Sequence, residues 1–218
     1  MDLGFFVNML YLELRSILIK TKEMKLRFYI YVLVSVFCIG NLQAQTKRFD
    51  TSMKIGRAGY KVYCPNKNLD KNPVTIGAIG FENTARDVSF EVKGKVVKAE
   101  VDDLDNDGFP DMVIYVNMPG NKNKVIVIGV GSEENKGFRP IIFPDILDNP
   151  KIRTGYAGFD QYYLMEGYLM RKFPLFDTSD TANIKPTGVM RQVQYKVAPD
   201  ERGQLTFKVI RSYDFNKQ

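Results

Sequence analysis

The sequence predicts an all-β fold: a single antiparallel, β-sandwich-like domain with a calcium-binding loop set between two of its strands. Three observations point there. Apolar and polar residues alternate over short runs from Tyr60 onward, the pattern of strands with one face buried. Turn residues such as Lys93-Gly94-Lys95, Met118-Pro119-Gly120 and Asp200-Glu201-Arg202-Gly203 punctuate those runs. The segment Asp103-Leu104-Asp105-Asn106-Asp107-Gly108-Phe109-Pro110-Asp111 places carboxylates at loop positions 1, 3, 5 and 9 with glycine at position 6.

At the amino end, Met24-Lys25-Leu26-Arg27 precedes the apolar residues 28–39 and the small-residue site Leu42-Gln43-Ala44, the three-part pattern of a secretory signal peptide. Residues 24–44 are therefore expected to be cleaved, leaving residues 45–218 as one mature domain in the periplasm or outside the cell. Residues 1–23, whose apolar pattern is broken by Glu13, Arg15 and Lys20, read as an over-extended start upstream of a better initiator at Met24. The apolar stretch is too short for a comfortable span of ~20 residues, so no stable membrane insertion is expected after cleavage.

Within the mature chain, residues 87–92 and 96–101 alternate on either side of Lys93-Gly94-Lys95 and are expected to pair as a hairpin, with Gly94 supplying the positive φ of a tight turn. The second strand delivers the chain into the Asp-rich loop. Ca²⁺ is a hard cation that takes six to eight oxygens, and a short loop supplies them by turning alternate side chains inward. Asp103, Asp105, Asp107 and Asp111 offer carboxylates, the carbonyl of Phe109 joins at position 7, and Gly108 takes the bend. Without a cation, four like charges in nine residues repel one another. Position 12, where a helix-loop-helix sensor carries a bidentate Glu, is Ile114, so this EF-hand-like loop is read as entering a strand and its calcium as structural.

Residues 112–117 leave the loop, turn through 118–123 and return as 124–130. Residues 133–160 are less regular, with a short helical turn expected over 143–148, and residues 191–197 and 205–209 alternate around 198–203 as the last hairpin. A β-propeller would repeat its Asp loop at a fixed period, and one loop is no array.

Composition narrows the chemistry. Residues 1–44 carry five Lys/Arg and three Asp/Glu, so their removal lowers the formal charge from +6 to +4. No basic run interleaves with aromatics, and nucleic acid is not an expected partner. Histidine is absent, which removes Ser-His and Cys-His nucleophiles and His-based zinc sites. Only Cys64 remains in the mature chain, so no internal disulfide forms and calcium is expected to act as the staple instead.

After the calcium loop come Tyr168-Leu169-Met170-Arg171-Lys172-Phe173-Pro174-Leu175-Phe176, Asp180-Thr181-Ala182-Asn183, Pro186-Thr187-Gly188 and Arg191-Gln192-Val193-Gln194-Tyr195. This order, over residues 86–213, resembles the periplasmic inhibitors of invertebrate-type lysozyme. The resemblance implies a β-sandwich that inhibits by inserting a loop with a Ser-Gly-x-x-Tyr-like or Ser-Gly-x-Tyr-like motif into the lysozyme cleft. The equivalent hairpin here is Pro119-Gly120-Asn121-Lys122, in which Gly120 alone matches that motif.

The same residues also have a plain reading from their chemistry. Leu169, Phe173, Leu175 and Phe176 suit a core, and Pro174 suits the end or edge of a strand because it cannot donate to the ladder. Arg171, Asp180 and Arg191 are candidates for a buried ion-pair network, and Tyr156, Tyr162, Tyr163 and Tyr168 for half-buried strand residues or a binding surface.

Three functions follow for comparison. The first is a binding protein whose loop blocks a lysozyme or related peptidoglycan hydrolase. The second is a calcium-stabilised envelope or surface domain, structural or adhesive, without inhibitory activity. The third, a glycosidase using acids such as Asp160, Glu166 or Asp177, ranks last because no acidic pair outside the calcium loop carries a motif. The chain is accordingly expected not to be an enzyme.

Overall fold

The computed structural model describes residues 47–82, 85–120, 124–180 and 183–216. The expected over-extended start, the signal peptide and its cleavage site lie outside these residues, as do Asn121 and Lys122 of the hairpin. Residues from Thr46 onward form one compact unit. Among the described residues no helix is long and apolar enough to cross a membrane.

The fold is all-β and antiparallel, built from three four-stranded sheets. The first contains β1 (Phe49–Ile55), β2 (Ala58–Cys64), β3 (Asn72–Ile79) and β4 (Val88–Val92). The second contains β5 (Lys95–Asp102), β6 (Asp111–Asn117), β7 (Val125–Ser132) and β8 (Phe138–Ile141). A 3-10 turn at Ile146–Asp148 and the one-turn helix α1 (Pro150–Arg153) lead to the third, which contains β9 (Gln161–Met165), β10 (Tyr168–Asp177), β11 (Lys185–Pro199) and β12 (Leu205–Asn216). In each sheet the strands lie in chain order, so every sheet is a meander of consecutive hairpins.

The second sheet is the middle layer. Period-two alternation sends Val113 and Tyr115 of β6 into a core shared with Leu169 and Phe173 of β10, Val193 and Tyr195 of β11, and Phe207 of β12. Met112, Ile114 and Val116 on the opposite face enter a second core with Tyr60, Val62 and Cys64 of β2 and Val74 and Ile76 of β3. Strand β6 is buried from Asp111 through Val116, which explains why its sequence is a continuous apolar run instead of an alternation. A sandwich-like arrangement is thus present with an additional layer, the β1–β4 sheet, of which the sequence pattern predicts only the strand at β4.

The predicted hairpin across residues 87–101 is not formed. Strand β4 pairs with β3 and β5 pairs with β6, so Lys93-Gly94-Lys95 is the crossing from the first sheet to the second. Gly94 does take a positive φ of 130°, for a different reason from the one expected: a Cβ there would collide with the Asn117 carbonyl and lie 2.8 Å from Val116 Cγ1. The crossing is clasped by buried amides. Asn72 Nδ2 donates to the Gly94 carbonyl and to Asn66 Oδ1, which also accepts the Val96 N–H, while Asn66 Nδ2 donates to the Val96 carbonyl.

The remaining hairpins form as read, β6 with β7 and β11 with β12, the latter pair much longer than predicted. The helical turn expected over 143–148 is the 3-10 turn, opened by the Asp145 side chain accepting the Leu147 N–H. Leu169 and Phe173 are fully buried and Leu175 packs against their core, while Phe176 stacks on Phe159 at 5.7 Å. Pro174 lies past the end of β9, beside a register shift in the β10–β11 ladder.

Gly129 of β7 sets how closely the middle and third sheets approach. A Cβ at this position would sit 2.8 Å from Ile141 Cβ and 2.9 Å from Phe207 Cε2. Forcing extra volume into a packed core costs about 1–3 kcal/mol, and about 2–4 °C of Tm is lost per kcal/mol in a domain of this size. Gly129→Ala is therefore expected to lower Tm by several degrees. A calorimetric melt within a degree of wild type would show that the layers are not in this contact.

Candidate metal centre

Asp102, the last residue of β5, pairs directly with Asp111, the first of β6, so residues 103–110 are the loop of a hairpin whose strands both belong to the middle sheet. Alternation fixes the loop's two ends. Leu104 turns inward and is fully buried in the core against the third sheet, while Tyr60 donates its hydroxyl to the Pro110 carbonyl at 2.6 Å. Asn106 and Gly108 take the left-handed conformations, φ 63° and 86°, that bend the chain back.

Within this frame the carboxylates of Asp103, Asp105 and Asp111 converge, with one oxygen from each lying within 4.8 Å of the others. Each is aimed by backbone donors. Asp103 accepts the N–H groups of Asp107 and Gly108, at 3.1 and 3.0 Å, and Asp105 accepts Asp107 N–H at 3.2 Å. Asp111, with no exposed surface, accepts Leu104 N–H on Oδ2 and Ser132 N–H on Oδ1, both at 3.0 Å. Asp107 is not part of this convergence; its Oδ1 accepts Phe109 N–H at 2.9 Å and its Oδ2 lies 3.4 Å from Arg139 Nη2.

The cluster's charge is only partly answered by protein groups. Arg139 of β8 places Nη2 2.9 Å from Asp105 Oδ2, while its Nε is buried without a hydrogen-bond partner. Burial is the main cause that pushes the Asp111 carboxyl up to about 7, with Asp105 and Asp107 adding repulsion against its two backbone hydrogen bonds. The Asp105 carboxyl is also raised, first by burial and then by Asp107. A set of convergent carboxylates, two partly and one fully buried, with only oxygen donors fits a hard cation, which would supply the missing positive charge. Asp103, Asp105 and Asp111 are the residues able to hold it. Ile114, at the position of the helical sensor's Glu, is fully buried in the core against the first sheet and has no part in the cluster.

The other candidate groups are dispersed. Arg171 pairs with Asp160 at 2.7 Å, and Arg191 pairs with Asp214 through both Nε and Nη2. The expected Arg171–Asp180–Arg191 network is therefore replaced by two separate pairs, because antiparallel registry opposes Arg191 to Asp214 and brings the segment before β9 against β10. Asp180 lies in the turn after β10, where its carbonyl accepts Asn183 N–H. Tyr156 and Tyr162 have their rings beside the Arg171 guanidinium. Tyr163 lies instead beside the Lys172 ammonium.

Glu166, in the turn before β10, and Asp177, the last residue of β10, lie ~30 Å apart for ten extended residues, and Asp160 is ~15–20 Å from either along β9 and β10. Glycosidase carboxyl pairs lie within about 10 Å of each other. Of the candidate loop, Pro119 and Gly120 are described; they follow β6 after Met118, and Gly120 (φ 71°) has open space where a Cβ would point.

No protein-family model and no curated protein matches the chain.

The raised Asp111 carboxyl makes a pH prediction for protein kept in a chelator. Its folded pKa exceeds the ordinary value, so the folded state holds a proton that the unfolded state has released. Stability is then highest below about pH 4 for this group and falls as pH rises through 7, at up to ~1.4 kcal/mol per pH unit. With no histidine in the chain, few other side chains titrate in that window. Denaturation in EDTA from pH 5 to 8 should show the decline, and Asp111→Asn should flatten it. A flat wild-type profile would mean that Asp111 is not charged against the cost of burial.

Proposed function

We propose that the domain is an exported, calcium-braced binding module that fills the cleft of a lysozyme or related peptidoglycan hydrolase with the loop between β6 and β7, and has no catalytic centre of its own. The supporting observation is how the base of that loop is held. Met118 N–H donates to the Lys124 carbonyl at 3.1 Å, Asn117 pairs with both Lys95 and Val125, and the Gly94 crossing presses against Asn117 from the side. Pro119 restricts the backbone further. A loop whose base is held this way has less ordering entropy to lose on binding. The order of motifs over residues 86–213, which resembles the inhibitors of invertebrate-type lysozyme, supports the same reading.

Calcium is the favoured ion because the cluster offers only oxygens and the loop spacing brings the Phe109 carbonyl and Asp107 within the same turn. Its role is structural. The metal loop and the binding loop lie at opposite ends of β6, ~20 Å apart for seven extended residues, so the ion acts on the binding loop through the rigidity of one doubly buried strand. The dispersed positions of Asp160, Glu166 and Asp177 favour a binding protein over a glycosidase.

Two measurements test the two halves of this reading. Binding to the folded state alone stabilises by about 2.7 kcal/mol at a hundredfold excess over Kd, so millimolar calcium should raise Tm by several degrees over EDTA, and more at pH 8 than at pH 5 because protons compete for Asp111. Asp105→Ala should erase the difference. Identical melts with and without calcium would reject the ion.

For the loop, lysis of peptidoglycan by invertebrate-type, chicken-type and goose-type lysozymes should be inhibited by wild type and at least about tenfold less, ~1.4 kcal/mol, by Gly120→Trp and Lys122→Glu. Absence of inhibition of all three at micromolar protein would leave the calcium-stabilised envelope domain. Inhibition surviving both substitutions would move the binding surface elsewhere.

A further inference from the structure

A cavity of about 370 Å³ opens between Lys124 and the start of β7 at residues 125–127, the segment 143–147, residues 156–158, Tyr162 and Arg171. That volume lies in the range of small-molecule sites. Its polar wall is unusual for a core. Arg171 is only 3% exposed; its Nε donates to Asp160 Oδ1 at 2.7 Å, its Nη2 donates to the Tyr156 hydroxyl at 3.0 Å, and Tyr156 in turn donates to Asp160 Oδ2.

Taking two charges out of water costs several kcal/mol per ion before their attraction is counted, and apolar residues of similar volume often hold a fold equally well. The backbone beside this arrangement is strained at one residue: Phe159 takes φ 65°, where a bulky side chain is rare, next to Gly158 at 93°, which adopts such a φ freely. Strain of this kind concentrates at binding sites.

The chemistry of the wall selects the ligand class. The rings of Tyr156, Tyr162 and Phe143, all lining the cavity, lie 5.0, 5.3 and 5.9 Å from the guanidinium carbon. Asp160 stands behind Arg171 and neutralises it, and the rim charges of Lys124 and Asp145 are opposite in sign. An anion would therefore meet no net positive charge. Aromatic faces beside strong, internally neutralised hydrogen-bonding groups suit a ring that is apolar on its faces and hydroxylated at its edge.

We propose that this cavity binds one neutral pyranose unit of a saccharide, with Arg171 and Tyr156 meeting its hydroxyls and Tyr162 and Phe143 its faces. The site adjoins the β6–β7 loop at Lys124 alone and stands or falls independently of what that loop blocks. Saturation-transfer NMR of the purified full chain with glucose, galactose and N-acetylglucosamine, each at about 10 mM, followed by amide-shift titration, should show millimolar binding of at least one sugar.

Ala157→Trp, which fills the cavity without touching the ion pair, should weaken binding at least about tenfold with an unchanged melt; Arg171→Lys, which keeps the charge and loses the planar fork, should weaken binding as much while also lowering the melt. Three results would each overturn the proposal: no transfer to any sugar, binding untouched by both variants, or acetate or phosphate shifting the cavity's amides more strongly than the sugars do.

Discussion

The carboxylate of Asp111 is the interaction on which the rest of the molecule depends. It is the first residue of β6, has no exposed surface, and accepts one N–H from the loop at Leu104 and another from the far end of β7 at Ser132. Three stretches of chain are thereby fastened at one point. Leaving two backbone donors unpaired in a dry site would cost about 1–3 kcal/mol each, so the charged group is tolerated although burial opposes its ionisation. A structural demand and a ligand-binding demand meet in one side chain.

The doubly buried β6 follows from that anchoring. A strand held in register at its first residue can present alternate side chains to two different cores without ambiguity, since a slip by one position would exchange its entire inner and outer sets. Val113 and Tyr115 would then face the first sheet, and Met112, Ile114 and Val116 the third. The buried Asn66–Asn72 clasp at the opposite corner plays a similar part for the crossing between sheets, where hydrogen-bonded amides specify one arrangement among the many that apolar contacts alone would permit.

How much was legible in the sequence depended on the range of the interaction. The Asp103–Asp111 spacing could be read because its side chains are gathered by a turn within nine residues, although Asp107 is turned toward Arg139, thirty-two positions away, which spacing cannot reveal. The β6–β7 and β11–β12 hairpins were likewise local. Lys93-Gly94-Lys95 was misread because glycine at positive φ serves a tight turn and a close backbone approach equally well, and only the Asn117 carbonyl tells them apart. Arg171 was recognised as a burial candidate, but its partner Asp160 is supplied by a neighbouring strand's entry and not by any motif. The continuous apolar run of β6 is the sequence signature of a strand with two buried faces, which the alternation of its neighbours masks.

The three meanders have a consequence for the order in which the chain becomes structured. Each sheet closes on residues adjacent in sequence, so each can assemble from short loops with little entropic delay. A chain emerging amino end first completes β1 to β4 before β6 exists. Until then Tyr60, Val62, Val74 and Ile76 have no opposite layer. The first sheet must therefore wait with an open apolar face while roughly twenty more residues appear, a sticky intermediate of the kind that chaperones hold. The middle sheet then caps it and, in the same act, creates the next uncovered face, which only the third meander can close.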